Sequence, residues 1–373
     1  MRLMVSAGAT GGGIFPALAV LQALGDKPEA VLWVGSVGGM EADLVSRAGI
    51  PFKAIPAAGV RGVGLKAVSS LWQLTRGFFA ARKLLREFQP DVLFFTGGYV
   101  AIPTVLAGRN IPILLCLPDI EPALALRTLS RFADKIAVPV AESKAFFARD
   151  KDVEVVGYPT RPALRLIPKA QAAAEFDLDP GRPILTITGG SLGARSINRA
   201  AVAVLTELLG FVQVIHLTGE QTWPEVEAAV AQLSPAQKQD YRPYPFLHER
   251  MSAAFSATDL VVSRGGGSVL GELPEFGIPA ILVPYPYAWD TQVVNSKYLA
   301  KRGAAVIIRD EDLDAELLPT IRELVVTNPT RRERMQAAMQ ALALPGAAKR
   351  IAAMLEELAV RQKPIPSGQG GVQ

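Results

Sequence analysis

Cysteine and histidine are nearly missing from this chain of 373 residues: Cys116 stands alone, and the only histidines are His216 and His248. A single cysteine excludes an internal disulfide framework and suits a reducing compartment. Two histidines and one cysteine cannot build a His/Cys zinc cluster. No uncharged apolar run reaches the roughly 18 residues that a membrane-crossing helix needs. The apolar run after Arg2 ends within a few residues, so it reads as a first strand rather than a signal peptide. Several motifs are absent as well. None of the glycine-rich turns carries the Gly-Lys-Ser/Thr of a P-loop. The dinucleotide fingerprint expects an acid at the end of the second strand, where this chain has Val34-Gly35-Ser36, so hydride transfer with a nicotinamide cofactor is disfavoured.

What is present describes a folded protein. Half of the residues are hydrophobic and 20% charged, which is globular rather than disordered, and the length suits two domains. The net charge of +4 is uneven: residues 1–165 hold 19 Lys and Arg against 13 Asp and Glu, and the remainder 20 against 22. The basic half could face an anionic surface or simply be solvated. A membrane surface or a phosphorylated lipid suits it better than nucleic acid, since no nucleic-acid module is recognisable.

Apolar runs alternate with helical patterns, which predicts an α/β protein with parallel sheets. Strands are expected at 3–6, 31–34, 52–55, 92–95, 113–115 and 135–138, then at 184–188, 213–217, 260–263, 280–283 and 305–308. Many of these runs are β-branched and continuous, as strands buried on both faces should be. Prolines at 159 and 162 and a turn-rich stretch at 177–183 put a domain boundary there. The two halves begin alike: glycine-rich turns at 7–13 and 188–194 each follow a first strand and precede a helix. Two Rossmann-like, doubly wound domains facing a cleft are therefore expected, with ligands at the carboxyl ends of the strands. Residues 70–87 form a basic amphipathic helix containing Trp72, Phe78 and Phe79, which could lie on a membrane or pack its apolar stripe on a sheet. The tail 363–373 has a disordered composition.

The richest stretch is 259–295. A short apolar run leads into Arg264-Gly265-Gly266-Gly267-Ser268, then into Val269-Leu270-Gly271-Glu272-Leu273. Glycines let backbone approach a ligand where a side chain would clash. A following helix capped by Ser268 would aim its N–H groups at an anion, phosphate above all. Glu272 would repel phosphate but could accept two hydrogen bonds from a ribose diol, so a nucleotide diphosphate is expected here. Pro274 is awkward inside such a helix, which must then be short or bent.

Ala7-Gly8-Ala9-Thr10-Gly11-Gly12-Gly13-Ile14-Phe15-Pro16-Ala17-Leu18 resembles the opening loop of the MurG-type glycosyltransferases. The resemblance continues through Gly35-Ser36, Glu41, Leu44-Val45, Gly59-Val60-Arg61-Gly62, Gly97-Gly98-Tyr99-Val100, Val156-Gly157-Tyr158-Pro159-Thr160-Arg161 and Gly189-Gly190-Ser191-Leu192-Gly193-Ala194, and reaches about residue 355. It implies the GT-B fold: an acceptor-binding domain over 1–160, rejoined by a helix near 346–360, and a UDP-sugar-binding domain over 161–345. It implies an inverting transfer of N-acetylglucosamine from UDP to the lipid-linked muramyl-pentapeptide precursor of peptidoglycan, on the cytoplasmic face of the membrane. Carried over by position, the donor site comprises Arg161 and Ser191 on the diphosphate, Leu247 beside the uracil, Gly267, Ser268, Val269, Leu270, Gly271 and Glu272 around the ribose, and Gln292 on the sugar. Thr10, Gly11 and Gly12 would close it from the other domain. Expected partners are the UDP-sugar, the lipid-linked acceptor and the membrane surface, without nucleic acid. No resident cofactor is expected; a divalent cation would at most stimulate.

The departures fall near the transferred sugar. Gly13 stands where the family has His, Cys116-Leu117-Pro118-Asp119 where it has His-Glu-Gln-Asn, Tyr158 for Asn, Leu192 for Gln, and Asp290-Thr291-Gln292 for Asp-His-Gln. Asp119 becomes the candidate general base, with Glu121 nearby and an ordinary turn role as the alternative. His216 reads as core and His248 as a loop residue. Transfer to another lipid acceptor, or UDP-sugar binding with little catalysis, are the competing functions.

Overall fold

The computed structural model describes residues 1–373 except 9–10, 40, 58–64, 191–192, 248, 287–290 and 362–373, and the side chains of 65–69 and 361 also lie outside the description. Thr10, Ser191, His248, the 59–62 motif and the expected tail are among the residues outside it. The chain forms two compact units. One consists of Met1–Pro118, Pro122–Pro159 and the segment from Gly346 onward; the other of Asp119–Glu121 and Thr160–Pro345.

The first unit holds a sheet of strands β1 (Arg2–Ser6), β2 (Ala30–Ser36), β3 (Phe52–Ile55), β4 (Val92–Phe95), β5 (Ile113–Cys116), β6 (Lys135–Val138) and β7 (Val153–Val155), in the order β3-β2-β1-β4-β5-β6-β7. Every pairing in it is parallel. The reversal between β1 and β4 is the switch point of a doubly wound sheet. One face is covered by the helix Gly11–Leu24 and by Ala347–Arg361, whose Ile351, Met354, Leu355 and Leu358 share a core with Leu3, Ile14, Trp33 and Phe94. Buried area on this scale contributes about 25 cal/mol per Å², so the last helix belongs to this unit energetically as well as topologically. Lys135 anchors it: its ammonium lies 3.0 Å from Glu357 and 2.8 Å from Glu154. Arg350 adds hydrogen bonds to the Val156 carbonyl at 2.6 and 3.2 Å.

The second unit holds β8 (Ile184–Thr188), β9 (Gln213–Leu217), β10 (Tyr241–Tyr244), β11 (Leu260–Ser263), β12 (Ala280–Leu282) and β13 (Ala305–Ile307), in the order β10-β9-β8-β11-β12-β13. These too pair only in parallel. Two strands were not expected, β7 and β10, and both lie at sheet edges. β7 is three residues around a glutamate, and β10 reads Tyr-Arg-Pro-Tyr; an edge tolerates a proline that an interior strand would not.

Candidate active site

In the second unit, the turn after β11 stands beside Arg161 and against the helix that carries Gln292. The expected cap by Ser268 does not form, and the helix is short, one of the two outcomes that Pro274 required. A tight turn at Gly267–Leu270 is followed by the five-residue helix Glu272–Phe276, and neither has a side-chain cap. Pro274 is the reason it is tolerated: it occupies the first turn, where a backbone N–H has no helical partner to lose. Gly277, in the left-handed region at φ 65°, ends the helix. Ser268 instead hydrogen-bonds Glu272.

Glu272 is mostly enclosed, its side chain 15% exposed, and the Arg161 guanidinium lies 3.7 Å from its Oε1. Burial pushes its carboxyl above the usual range, opposed by Arg161 and Ser268, while Glu275 one turn on raises it further. Glu275 accepts a 3.0 Å hydrogen bond from the Thr160 hydroxyl and is itself raised by burial. Thr160 precedes Arg161, so this bond seats the arginine-bearing segment beside the Glu272 helix.

Gly265 is small for a reason the structure makes plain. A Cβ there would run into the Ser296 hydroxyl and the Gln292 carbonyl, both on the helix Thr291–Lys301. That helix therefore lies against the glycine turn. Gln292 points its Oε1 at the Tyr285 N–H (2.9 Å), so the amide donors are what it offers a ligand. Asn295, fully buried one turn along, donates to the Asp119 carboxylate at 2.8 Å and to the Gly265 carbonyl at 3.1 Å, and accepts from the Ile120 N–H at 3.1 Å. Burial raises the Asp119 carboxyl above its usual range, and the bond from Asn295 lowers it. Arg264 locks the base of the turn, donating to Asp310, to the Val283 carbonyl (3.1 Å) and to the Ser196 hydroxyl (2.8 Å). Neither Asn295 nor Arg264 was expected. Asn295 shares a helix face with Gln292 at a spacing of three, the one sequence signal that could have pointed to it.

Val269, Leu270 and Leu247 are buried, with Leu247 in a core formed with Phe176, Ile215 and Ala253. Only its backbone can serve a ligand. Gly189 and Gly193 shape the other turn of this unit: at Gly193, φ 75°, a side chain would meet the Thr218 carbonyl. His216 is core. Its ring nitrogens lie 2.8 Å from the Tyr241 hydroxyl and 3.0 Å from Asn198 Oδ1, and burial lowers its pKa to about 3.

In the first unit, Gly11 and Gly12 open the helix Gly11–Leu24 at the end of β1. Gly13, where the family has His, faces Thr96, which donates to its carbonyl at 2.6 Å. Cys116 is buried and its thiol is pushed up to about 12, which makes it inert.

The glycosyltransferase family 28 N-terminal domain matches residues 3–138 and the family's C-terminal domain residues 184–351. The UDP-N-acetylglucosamine--N-acetylmuramyl-(pentapeptide) pyrophosphoryl-undecaprenol N-acetylglucosamine transferase of Roseiflexus sp. (strain RS-1) is 37% identical, covering 97% of this chain and 96% of its own. The chain belongs to the MurG group of glycosyltransferase family 28. The enzyme of the same description from Desulforamulus reducens is 36% identical over 97% of this chain and 100% of its own. The Acinetobacter baumannii MurG crystal structure superposes with a TM-score of 0.74 at 26% identity, covering 95% of this chain and 99% of that one. The calicheamicin glycosyltransferase CalG4, at 15% identity and a TM-score of 0.70, shares the fold alone. As a family 28 member the protein is a UDP-sugar-dependent glycosyltransferase of GT-B fold, as the glycine turns and the run of motifs led one to expect. Among the described residues no helix is long and apolar enough to cross a membrane.

Proposed function

We propose that this enzyme transfers N-acetylglucosamine from UDP to a muramyl-pentapeptide carried on a polyisoprenoid diphosphate, with inversion at the sugar. The observation that carries the reading to this site is the meeting of Arg161 and Glu272 at the glycine turn. A cation for the diphosphate and an acid for the ribose diol stand side by side, on a backbone that glycine leaves open. Their charged groups lie 3.7 Å apart; the nucleotide would engage both, Arg161 as a charge-assisted fork and Glu272 as a double acceptor. The acceptor hydroxyl attacks the anomeric carbon as its bond to the diphosphate breaks, and the electron pair leaves on UDP. Asp119 takes the hydroxyl proton, a role left open by Gly13 in the place of the family's histidine. Arg161 and the backbone amides of the turns meet the charge that develops on the leaving group. This reading calls for no resident cofactor, and a divalent cation would do no more than stimulate.

A membrane site of action follows from the acceptor and is supported by the helix Leu65–Phe88. Its Ala81 and Leu85 pack on the first sheet, while Leu71, Trp72 and Phe79 are each more than 60% exposed. Trp72, Arg76, Phe79, Lys83 and Arg86 recur at helical spacing along that outer face, two aromatic and three basic. Such a face suits the headgroup boundary of an anionic bilayer, at the cytoplasmic side where UDP-sugars are made. Phe78, in contrast, is half-buried and makes an edge-to-face contact with Phe79 at 5.6 Å.

The test is radioactive transfer from UDP-N-acetylglucosamine to the muramyl-pentapeptide lipid. Transfer to acceptor in anionic vesicles is expected to fall at least about tenfold when Trp72 and Phe79 are both replaced by Ser, since two aromatic anchors leave the headgroup region. Transfer to a short-chain, water-soluble acceptor should not change. No product from the wild type with either acceptor would overturn the assignment of substrate.

A further inference from the structure

We propose that Asn295 is the positioning residue for Asp119, and that through it the glycine turn that takes the nucleotide and the acid that takes the proton are held as one piece; this rests on the reading of Asp119 as the base. Asn295 has no exposed surface, and both ends of its carboxamide are engaged. Nδ2 donates to Asp119 Oδ1 (2.8 Å) and to the Gly265 carbonyl (3.1 Å), while Oδ1 accepts from the Ile120 N–H (3.1 Å). Two backbone anchors, one on each side, fix the plane of the amide. A fixed amide in turn fixes which carboxylate oxygen it addresses, so Oδ1 is held and Oδ2 is the atom left to face a hydroxyl.

Gly265 makes the arrangement possible, because any side chain there would collide with Gln292 and Ser296 on the helix that carries Asn295. The same closeness that opens the turn to a ligand therefore brings Asn295 within reach of its carbonyl. Burial raises the Asp119 carboxyl and the Asn295 bond lowers it. The chemistry needs the carboxylate: its Oδ2 takes the proton of the acceptor hydroxyl as the new C–O bond forms and the diphosphate departs with the old bond's electrons. An amide that donates to the carboxylate favours its ionised form, against the burial that disfavours it.

The experiment is a pH profile of kcat with UDP-N-acetylglucosamine and a soluble acceptor, for the wild type, Asn295→Ala, Asn295→Asp and Asp119→Asn, each checked for folding by UDP titration. In Asn295→Ala the acid limb should move up by about one to two pH units, the loss of one hydrogen bond to a charged group. kcat at neutral pH should drop at least tenfold, with the donor KM within about threefold of the wild type. Should that variant not fold, Asn295→Asp keeps the acceptor for Ile120 and loses only the donors, and its limb should move further. A donor KM that rises in step with the fall in kcat, with the limb unmoved, would reduce Asn295 to a support for the glycine turn and overturn the proposal. Wild-type turnover in Asp119→Asn is a different failure: it removes the base itself, whatever the Asn295 variants do.

Discussion

Two carboxylates sit beside glycine turns in this molecule, one in each unit, and they are built for opposite ends. Glu41, in the first unit, is wholly buried; its Oε1 accepts from both the N–H and the hydroxyl of Ser36 at 2.6 Å. It fills the space that side chains at Gly8, Gly35 and Gly39 would need. Glu272, in the second unit, keeps a strip of exposed surface and meets Arg161 at 3.7 Å, a looser ion pair between side chains. An acid bonded to the backbone of its own turn is part of the fold. An acid facing a separable side-chain partner can exchange that partner for a ligand. Glu41 lies just after the second strand, near where a dinucleotide fold places its ribose acid, yet it is turned inward. Position alone would have misassigned it.

The sharpest way to break this contrast is at Gly265. Gly265→Ala should lower kcat/KM by about 100-fold, because displacing a binding turn by an ångström is enough to do so, and should cost about 1–3 kcal/mol in stability through overpacking. Gly266→Ala is the control: nothing lies within 4 Å of a Cβ there and its φ is −66°. Its thermal midpoint should match the wild type. Equal UDP affinity in Gly265→Ala and wild type would show that the nucleotide binds elsewhere.

The carboxylates themselves come next. Glu272→Gln should weaken UDP by about tenfold to a hundredfold, the worth of a charged hydrogen-bonding pair, while leaving stability equal or higher, since a buried charge is gone. Glu41→Gln should do the reverse. It should cost about 1–3 kcal/mol in denaturant unfolding and leave calorimetric UDP affinity within about twofold, because the bonds to Ser36 that it weakens hold a turn of the first unit. If both variants weakened UDP alike, the division between fold acid and ligand acid would collapse.

Much of this was legible in the sequence, and the parts that were not share a cause. Interior strands such as β1 and β8 announce themselves as unbroken apolar runs; the edge strands β7 and β10, with Glu154 and Pro243 in them, do not. Glu272 and Arg161 could be picked out by residue type and motif. Asn295 could not: its partners Asp119 and Gly265 are 176 and 30 residues away, and only the packing of one helix on the glycine turn brings them to it. Ser268 as a helix cap was a local inference, and it failed locally. With a proline at 274 the chain forms a tight turn and a short helix, and the serine turns to Glu272 instead. The basic helix was legible as amphipathic, but which face remained outside required the sheet: Phe79 stays out and Phe78 leans in.

The units differ also in their response to acid, through histidine. Neither histidine of the chain belongs to the first unit, and His216 is sealed in the second between Tyr241 and Asn198. With its folded pKa lowered from 6.5 to about 3, the unfolded chain takes up a proton below pH 6.5 that the folded chain refuses. Stability is then lost as pH falls from 6.5 towards 3. Asp119, Glu272 and Glu275 act in the opposite sense, since their raised folded values mean that the fold binds protons more readily than the unfolded chain. A direct pH titration of stability mixes the two. The difference between the wild type and His216→Asn isolates the histidine, because the three acids are common to both. That difference should shift against the wild type by about 2 kcal/mol between pH 7 and pH 5, measured by urea unfolding at each pH. A difference that stays flat would mean that the ring is reached by water or proton, and that the network joining it to Asn198 and the Thr218 carbonyl, against which Gly193 is seated, is more open than its burial indicates.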